Sequence, residues 1–272
     1  MGGFGNVLIK SLAEKTAAIR CDGDYEEDGL LWCGKCHTKK QCRIDVDGEV
    51  FIVGCSCECK NQAYERGIEE QKQNEQRMMI ERLRTEGIQD KSLSANRFEN
   101  ASPTDQLEKC KRYVEKWEQV KANNNGLLFF GGTGTGKTFA ASCIANALID
   151  QGIPCLVTSF PRILNSGFDK TELIEKMKHY QLLVIDDLGA ERQSDYALET
   201  VYLAIDERYK SGLPIIVTTN LTWAELSKPS NMSYQRIYDR ILEMCVPVKF
   251  DGASIRRSKA NEKMKVAREI FS

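Results

Sequence analysis

The sequence predicts an α/β protein, a parallel sheet flanked by helices, preceded by a small cysteine-bearing domain and a helical linker. Three observations carry that expectation. Four nearly continuous apolar runs, GLLFFGG, PCLVTSF, LLVIDDLG and LPIIVTTN, are separated by helical patterns, as parallel strands covered on both faces require. A glycine-rich turn bearing Lys137 and Thr138 joins the first run to an apolar helix pattern. Seven of the 11 cysteines (Cys21, Cys33, Cys36, Cys42, Cys55, Cys57 and Cys59) precede residue 60.

Bulk properties narrow the function classes. With 272 residues, 42% of them hydrophobic, the chain can bury a sizeable core, enough for one large domain and a smaller module. A net charge of -1 with 28% charged residues supplies no global field for nucleic acid or membrane, so such affinity must come from local patches. No apolar run approaches the ~20 residues of a membrane span. The start MGGFGNVLIKSLAEKTAAIR lacks the apolar core of an export signal, and Asn6 stands where myristoylation of Gly2 needs Ser or Thr. The expectation is a cytoplasmic protein with no membrane attachment.

Residues 1–60 contain LLWCGKCHTKKQCRIDVDGEVFIVGCSCECK. The alternation in RIDVDGEVFIV around an Asp-Gly turn predicts a β-hairpin, with cysteine pairs at its ends. So short a hairpin has too little core to stand alone, whereas a tetrahedral zinc clamping both ends contributes folding free energy outright. An odd cysteine count without an export signal also argues for thiolate metal ligands over a disulfide framework. Cys33-x₂-Cys36 and Cys55-x-Cys57-x-Cys59 offer five thiols for four zinc positions, with Cys42 and His37 in reserve. A site filled by protein thiolates is structural; an Fe–S cluster is its chemical rival.

Residues 61–95 form the linker. NQAYERGIEEQKQNEQRMMIERLRTEG has no proline and many mixed charges, which favours a solvated helix with an apolar end at Met78, Met79, Ile80 and Leu83. Residues 96–272 hold the sheet. Leu107, Cys110, Val114 and Trp117 recur at helical spacing before the polar break KANNNG. Cys110, Cys143, Cys155 and Cys245 sit in apolar patterns and read as core.

Gly131, Gly136, Lys137 and Thr138 fit G-x-x-x-x-G-K-[ST] between a strand and a helix whose buried face is marked by Ala140, Ile144, Ala147 and Leu148. Glycines at Gly131, Gly132, Gly134 and Gly136, with Thr133, Thr135 and Phe139, let backbone N–H groups curl around the phosphates of ATP. Lys137 reaches the β and γ phosphates and Thr138 offers its hydroxyl to Mg²⁺. Asp186, ending a buried strand, is placed to hold the same Mg²⁺, and Asp187 either orients the attacking water or, by strand alternation, is simply solvated. Asn220, ending another strand after Thr219, is suited to touch the γ-phosphate or the lytic water, although NLTWAEL is also a helix-start signal.

The order phosphate loop, paired acids, Asn-ended strand resembles that of AAA+ ATPases. GGTGTGKT, LLVIDDLGAER, IIVTTNLT, RIYDRILE and VKFDGASIRRSK resemble, in sequence, the DnaC/DnaI helicase loaders and their IstB-like relatives over roughly residues 96–260. The cysteine-bearing front resembles phage and Gram-positive versions. This resemblance implies an AAA+ P-loop core that lacks a full C-terminal lid, since few residues follow VPVKF. It implies zinc on Cys33, Cys36, Cys57 and Cys59, with Cys55 as the competitor. It also implies ATP held between subunits, with Arg240 the trans-acting finger ahead of Arg236 and Arg256 the cis-acting sensor ahead of Arg257. Either finger arginine alternatively pairs with Asp239 or Glu243 on the surface. Asp187 departs from the glutamate common in AAA+ sites, which implies slow or partner-dependent hydrolysis.

The function so implied is an ATP-dependent loader of a hexameric DnaB-type helicase onto single-stranded DNA, with the N-terminal module facing the helicase and the chain self-associating through its ATP sites. SFPRILNSGFDK lies where loaders contact single-stranded DNA, so Phe160, Arg162 and Phe168 are candidates for stacking and charge; the alternative is that Phe160 and Ile163 are core. The tail cations Arg256, Arg257, Lys259, Lys263, Lys265 and Arg268 either contact DNA phosphates or stay solvated. The rival functions are an IstB-like transposition helper, a small-molecule P-loop kinase, and an adaptor with a vestigial loop.

Overall fold

A computed structural model describes residues 19–46, 48–165, 170–189, 195–229 and 232–271. The chain divides into two compact units, one up to Gln76 and one from Arg77. In the first unit, β1 (Tyr25–Glu27) pairs antiparallel with β2 (Leu30–Trp32), and β3 (Gln41–Val46) with β4 (Glu49–Gly54). The expected hairpin is the second of these, with Val46 opposite Glu49; Asp47 of its turn signal lies outside the described residues. Helix α1 runs Glu58–Gly87, and its residues from Lys60 to Met79 are solvent-exposed, as its charge content dictates. Met78 and Met79, expected at the apolar end, are exposed, while Ile80 and Leu83 do pack on the core of the second unit. Ile80 and Leu83 lie three residues apart on one stripe; Met79, four residues before Leu83, sits at its edge and reaches toward Gly152, while Met78 faces away.

The second unit begins with two short elements, α2 (Lys91–Ser94) and a 3₁₀ turn at Phe98–Asn100, then α3 (Asp105–Glu115) and α4 (Trp117–Ala122). Thr104 caps α3 by accepting the Leu107 N–H, and Leu107, Cys110, Val114 and Trp117 are all buried. The remaining elements alternate: β5 (Gly126–Phe130), α5 (Lys137–Asp150), β6 (Cys155–Ser159), α6 (Phe160–Leu164), α7 (Lys170–Met177), β7 (Leu182–Leu188), α8 (Asp195–Ser211), β8 (Ile215–Thr219), α9 (Trp223–Ser227), α10 (Met232–Met244), β9 (Cys245–Lys249) and α11 (Ile255–Phe271). The five strands form one parallel sheet in the order β6-β7-β8-β5-β9. One core holds Phe129, Ile144, Leu148 and Val184, and a second holds Leu128, Ile185, Val217 and Ile241. Alternate residues of the same strands feed the two.

Two features of the packing differ from the sequence expectation. Helix α5 is buried almost all round, including Ala141, Ser142, Cys143, Ala145 and Asn146, and Ala147 is only half-buried. The sheet covers one side and α3 the other, so no single stripe is distinguished. Phe160 and Ile163 are fully buried, which removes Phe160 as a DNA-stacking residue: Ser159 caps α6 and turns the ring inward. Arg162 is exposed, and Phe168 lies outside the described residues. Cys110, Cys143, Cys155 and Cys245 are buried as expected. No helix among the described residues is long and apolar enough to cross a membrane.

Candidate nucleotide and metal sites

The phosphate loop hangs from the end of β5, which lies between β8 and the edge strand β9. Gly131 has φ 138° and a Cβ there would collide with the Phe250 carbonyl; at Gly134, φ 82°, it would collide with Ser254. Only glycine permits this course. The Ile255 N–H donates to Gly134 O at 3.0 Å and the Phe250 N–H to Phe130 O at 2.8 Å, so the segment after β9 braces the loop. Helix α5 starts at Lys137 with Gly136 as its cap and no side-chain cap, leaving the first N–H groups directed into the loop, the arrangement that favours anions.

Because β8 is inserted between β5 and β7, the Asn-ended strand stands beside the loop. Lys137 is buried and its Nζ donates to Asn220 Oδ1 at 2.8 Å, to Gly132 O at 2.8 Å and to Gly131 O at 2.9 Å. Burial lowers the Lys137 pKa; Asp187 and Asp186 oppose that shift and Arg256 adds to it. The Thr138 hydroxyl donates to Asp186 Oδ1 at 2.9 Å, and the Thr218 hydroxyl donates to the same oxygen. Burial raises the Asp186 pKa, with the Thr218 bond opposing. A hydroxyl and a half-buried carboxylate sharing one point beside the phosphate loop fit a hard divalent cation such as Mg²⁺. Thr138 and Asp186 would hold it.

Asp187 does not follow strand alternation. The β7–β8 register shifts between Ile185 and Leu188, Asp187 has φ 59°, and its N–H donates to Thr218 Oγ1 at 3.1 Å. This bulge turns a half-buried second carboxylate toward Lys137 rather than to the opposite face. Thr218 was not singled out by the sequence, yet it bonds both acids. Alternation could have found it, since it lies two residues from Asn220 on one face. Thr219 instead donates to Leu188 O at 2.7 Å.

The arginines separate. Arg256 opens α11, which is tied to the loop through Ile255, and its charge is felt by Lys137. Arg240 on α10 pairs with Asp206 of α8 at 2.8 Å, not with Asp239 or Glu243. Arg236 is exposed, with no ion pair among the described residues. Arg257, Lys263, Lys265 and Arg268 are exposed on α11, and the Lys259 side chain lies outside the described residues.

In the first unit, the Sγ atoms of Cys33, Cys36, Cys57 and Cys59 all lie within 4.8 Å of one another. The Cys33–Cys59 and Cys57–Cys59 separations are 3.6 and 3.4 Å. Four sulfurs around one zinc at 2.3 Å would be about 3.8 Å apart, so the cluster is close to the size of that tetrahedron. Cys36 is pulled down to about 5 by the Thr38 hydroxyl, while Cys59 is pushed up to about 12 by Cys57 and its other thiol neighbours. A central cation would remove that conflict, letting all four bind as thiolates. Cys55 stands outside this set, its Sγ 2.7 Å from Cys42 Sγ. Asp24 braces the module by accepting from Lys40 Nζ at 2.5 Å and from the Cys21 and Gly34 N–H groups at 2.7 and 3.1 Å.

Residues 65–263 match the family described as IstB-like ATP binding protein. The chain is 28% identical over 158 residues to the replicative helicase loader DnaC of Escherichia coli K12, covering 55% of this chain and 62% of that protein. It is 30% identical over 156 residues to the phage-like element PBSX protein XkdC of Bacillus subtilis 168, covering 53% and 59%. For the replicative helicase loader DnaI of the same organism the figures are 26% over 147 residues, covering 48% and 47%. The chain therefore spans less than two thirds of each of these relatives. A crystal structure of DnaI matches with TM-score 0.52 at 22% identity, over 61% of this chain and 93% of that one, a likeness of fold. The AAA+ P-loop core expected from the sequence is the fold observed. A match running from within α1 to within α11 leaves the assignment in no other place: the chain belongs to the IstB-like ATP-binding protein family.

Proposed function

We propose that this protein hydrolyses ATP at sites shared between subunits and uses it to load a hexameric DnaB-type helicase onto single-stranded DNA. The observation that carries the reading is the cleft itself: Lys137 bonds Asn220, Thr138 bonds Asp186, and the charge of Asp187 bears on Lys137, an arrangement suited to activating water. The similarity to two replicative helicase loaders supports the client. Here Lys137 neutralises phosphate oxygens, Asp187 orients the water, Asn220 holds it in line, and Arg256 in cis and Arg240 from a neighbour meet charge developing on the γ-phosphoryl group. Thr138 and Asp186 would hold Mg²⁺, which would supply divalent charge to stabilise the leaving phosphate. Residues 1–60 present the zinc-bearing, helicase-facing surface, residues 61–95 link, and residues 96–272 are the ATPase domain.

The test uses a hexameric helicase and circular single-stranded DNA with an annealed oligonucleotide. Release of the oligonucleotide should rise when the protein and ATP are added, and Lys137→Ala should remove the gain. A second reading, an IstB-like helper that positions a transposase on DNA, rests on the match to the IstB-like ATP-binding family alone. Stimulated strand transfer without stimulated unwinding would replace the first reading by the second.

A further inference from the structure

We propose that Cys42 and Cys55 are an oxidative modification site, a dithiol that closes reversibly to a disulfide beside the zinc thiolates without belonging to them. Cys42 lies on β3, and Cys55 follows the last residue of β4. The ladder continues one pair beyond Gln41–Gly54, because the Cys55 N–H donates to Lys40 O at 2.8 Å. Lys40 and Cys42 are two residues apart and so share a face, which places Cys42 and Cys55 diagonally on one side of the hairpin. Their sulfurs meet at 2.7 Å, within about 0.7 Å of a disulfide bond length. Both thiols are half-buried, within reach of a small oxidant.

The zinc geometry makes the separation chemical. The four sulfurs of Cys33, Cys36, Cys57 and Cys59 complete a set on their own, and Cys55 Sγ points to Cys42 and to Lys39 O at 3.5 Å. The fifth thiol of the C-x-C-x-C run is thereby occupied by a partner of its own. With hydrogen peroxide as oxidant, one thiol sulfur attacks the O–O bond, giving a sulfenic acid and water. The second thiol displaces the sulfenic hydroxyl, which leaves as a second water, and the S–S bond forms. Two thiol hydrogens and two electrons leave the protein and the peroxide is reduced. A small dithiol reverses the step by exchange. Intramolecular pairs of this kind are the form disulfides usually take in reducing compartments, transient and sensing.

The experiment treats the full-length, zinc-loaded protein with limiting hydrogen peroxide, then measures intact mass, maps the linked peptides and follows zinc release with a chromogenic chelator. The expected result is a loss of about 2 Da, a Cys42–Cys55 linked peptide, and zinc retained. Cys42→Ser and Cys55→Ser should each keep their zinc and lose the linked product. Zinc released at the first equivalent while Cys42 and Cys55 remain open to alkylation would overturn the proposal. So would loss of zinc from Cys55→Ser, which would make that residue a ligand.

Discussion

Arg240 is tied to Asp206 by an ion pair at 2.8 Å, with its guanidinium 4.6 Å from the centre of the Tyr202 ring and 5.7 Å from that of Tyr209. Three side chains of α8 thus fix a cation carried by α10. A guanidinium so held loses little freedom on meeting a phosphate, unlike a solvated side chain.

If Arg240 acts on a neighbour's nucleotide, Arg240→Ala should lower steady-state phosphate release by roughly 10³-fold, the scale of an arginine finger. A mixture of Arg240→Ala with Lys137→Ala should recover part of the activity, because some seams then pair an intact loop with an intact arginine. Phosphate release is the readout; no recovery on mixing, with full activity in Arg240→Ala alone, would remove the trans role.

Asp186 yields a pH dependence with a definite sign. Burial raises its folded-state pKa above the ordinary 3.8, so the folded state holds the proton more tightly than the unfolded chain. Its contribution to stability therefore falls as pH rises from 3.8 through the raised value, and the penalty is complete once the pH exceeds that value. Asp186→Asn should melt higher than the parent at neutral pH without ligand. The gap should close in acid, and Mg²⁺ with an ATP analogue should stabilise the parent more than the variant. Thermal melts across pH decide it; equal melting at neutral pH rejects the account.

Zinc removal should unfold the first unit outright, since a structural zinc contributes about 10–16 kcal/mol to so small a module. Cys33→Ser or Cys57→Ser should copy the chelator. Nucleotide binding should survive, because the second unit has its own cores. Metal analysis, limited proteolysis and equilibrium dialysis with a labelled ATP analogue are the measurements.

Arg208 is buried, 2% exposed, and donates to the carbonyls of Met177, Tyr180, Gln181 and Pro214. Burial lowers its pKa to about 10, still well above neutrality. Arg208→Met withdraws the guanidinium from these carbonyls, of which Pro214 O keeps the Leu183 N–H at 3.4 Å, and should cost about 3 kcal/mol, a fall of roughly 6–12 °C in Tm for a unit of this size. Arg208→Lys cannot span four acceptors and should recover only part of it. A Tm unchanged in both variants would show that water replaces the guanidinium.

Local patterns carried much of this molecule. The apolar runs became β5, β6, β7 and β8, and the loop glycines stand where their spacing put them; spacing left five thiols for four positions, and the four that the family resemblance implied are the ones that cluster. What stayed hidden was set by closure between distant segments. Strand period left Asp187 either orienting water or solvated, and a bulge that bonds its N–H to Thr218 breaks the period at that residue. Arg208 looks like one more surface cation of an amphipathic helix until the ends of α7 and the starts of β7 and β8 surround it. Asp206 likewise acquires meaning only when α10 lays Arg240 against it.

Gly134 and Ile255 share a hydrogen bond, and Ser254 fills the space where a Gly134 side chain would stand. Ile255 is also the first residue of the 17-residue last helix. A side chain introduced at Gly134 would therefore press on Ser254 at the foot of that helix as well as strain the loop itself.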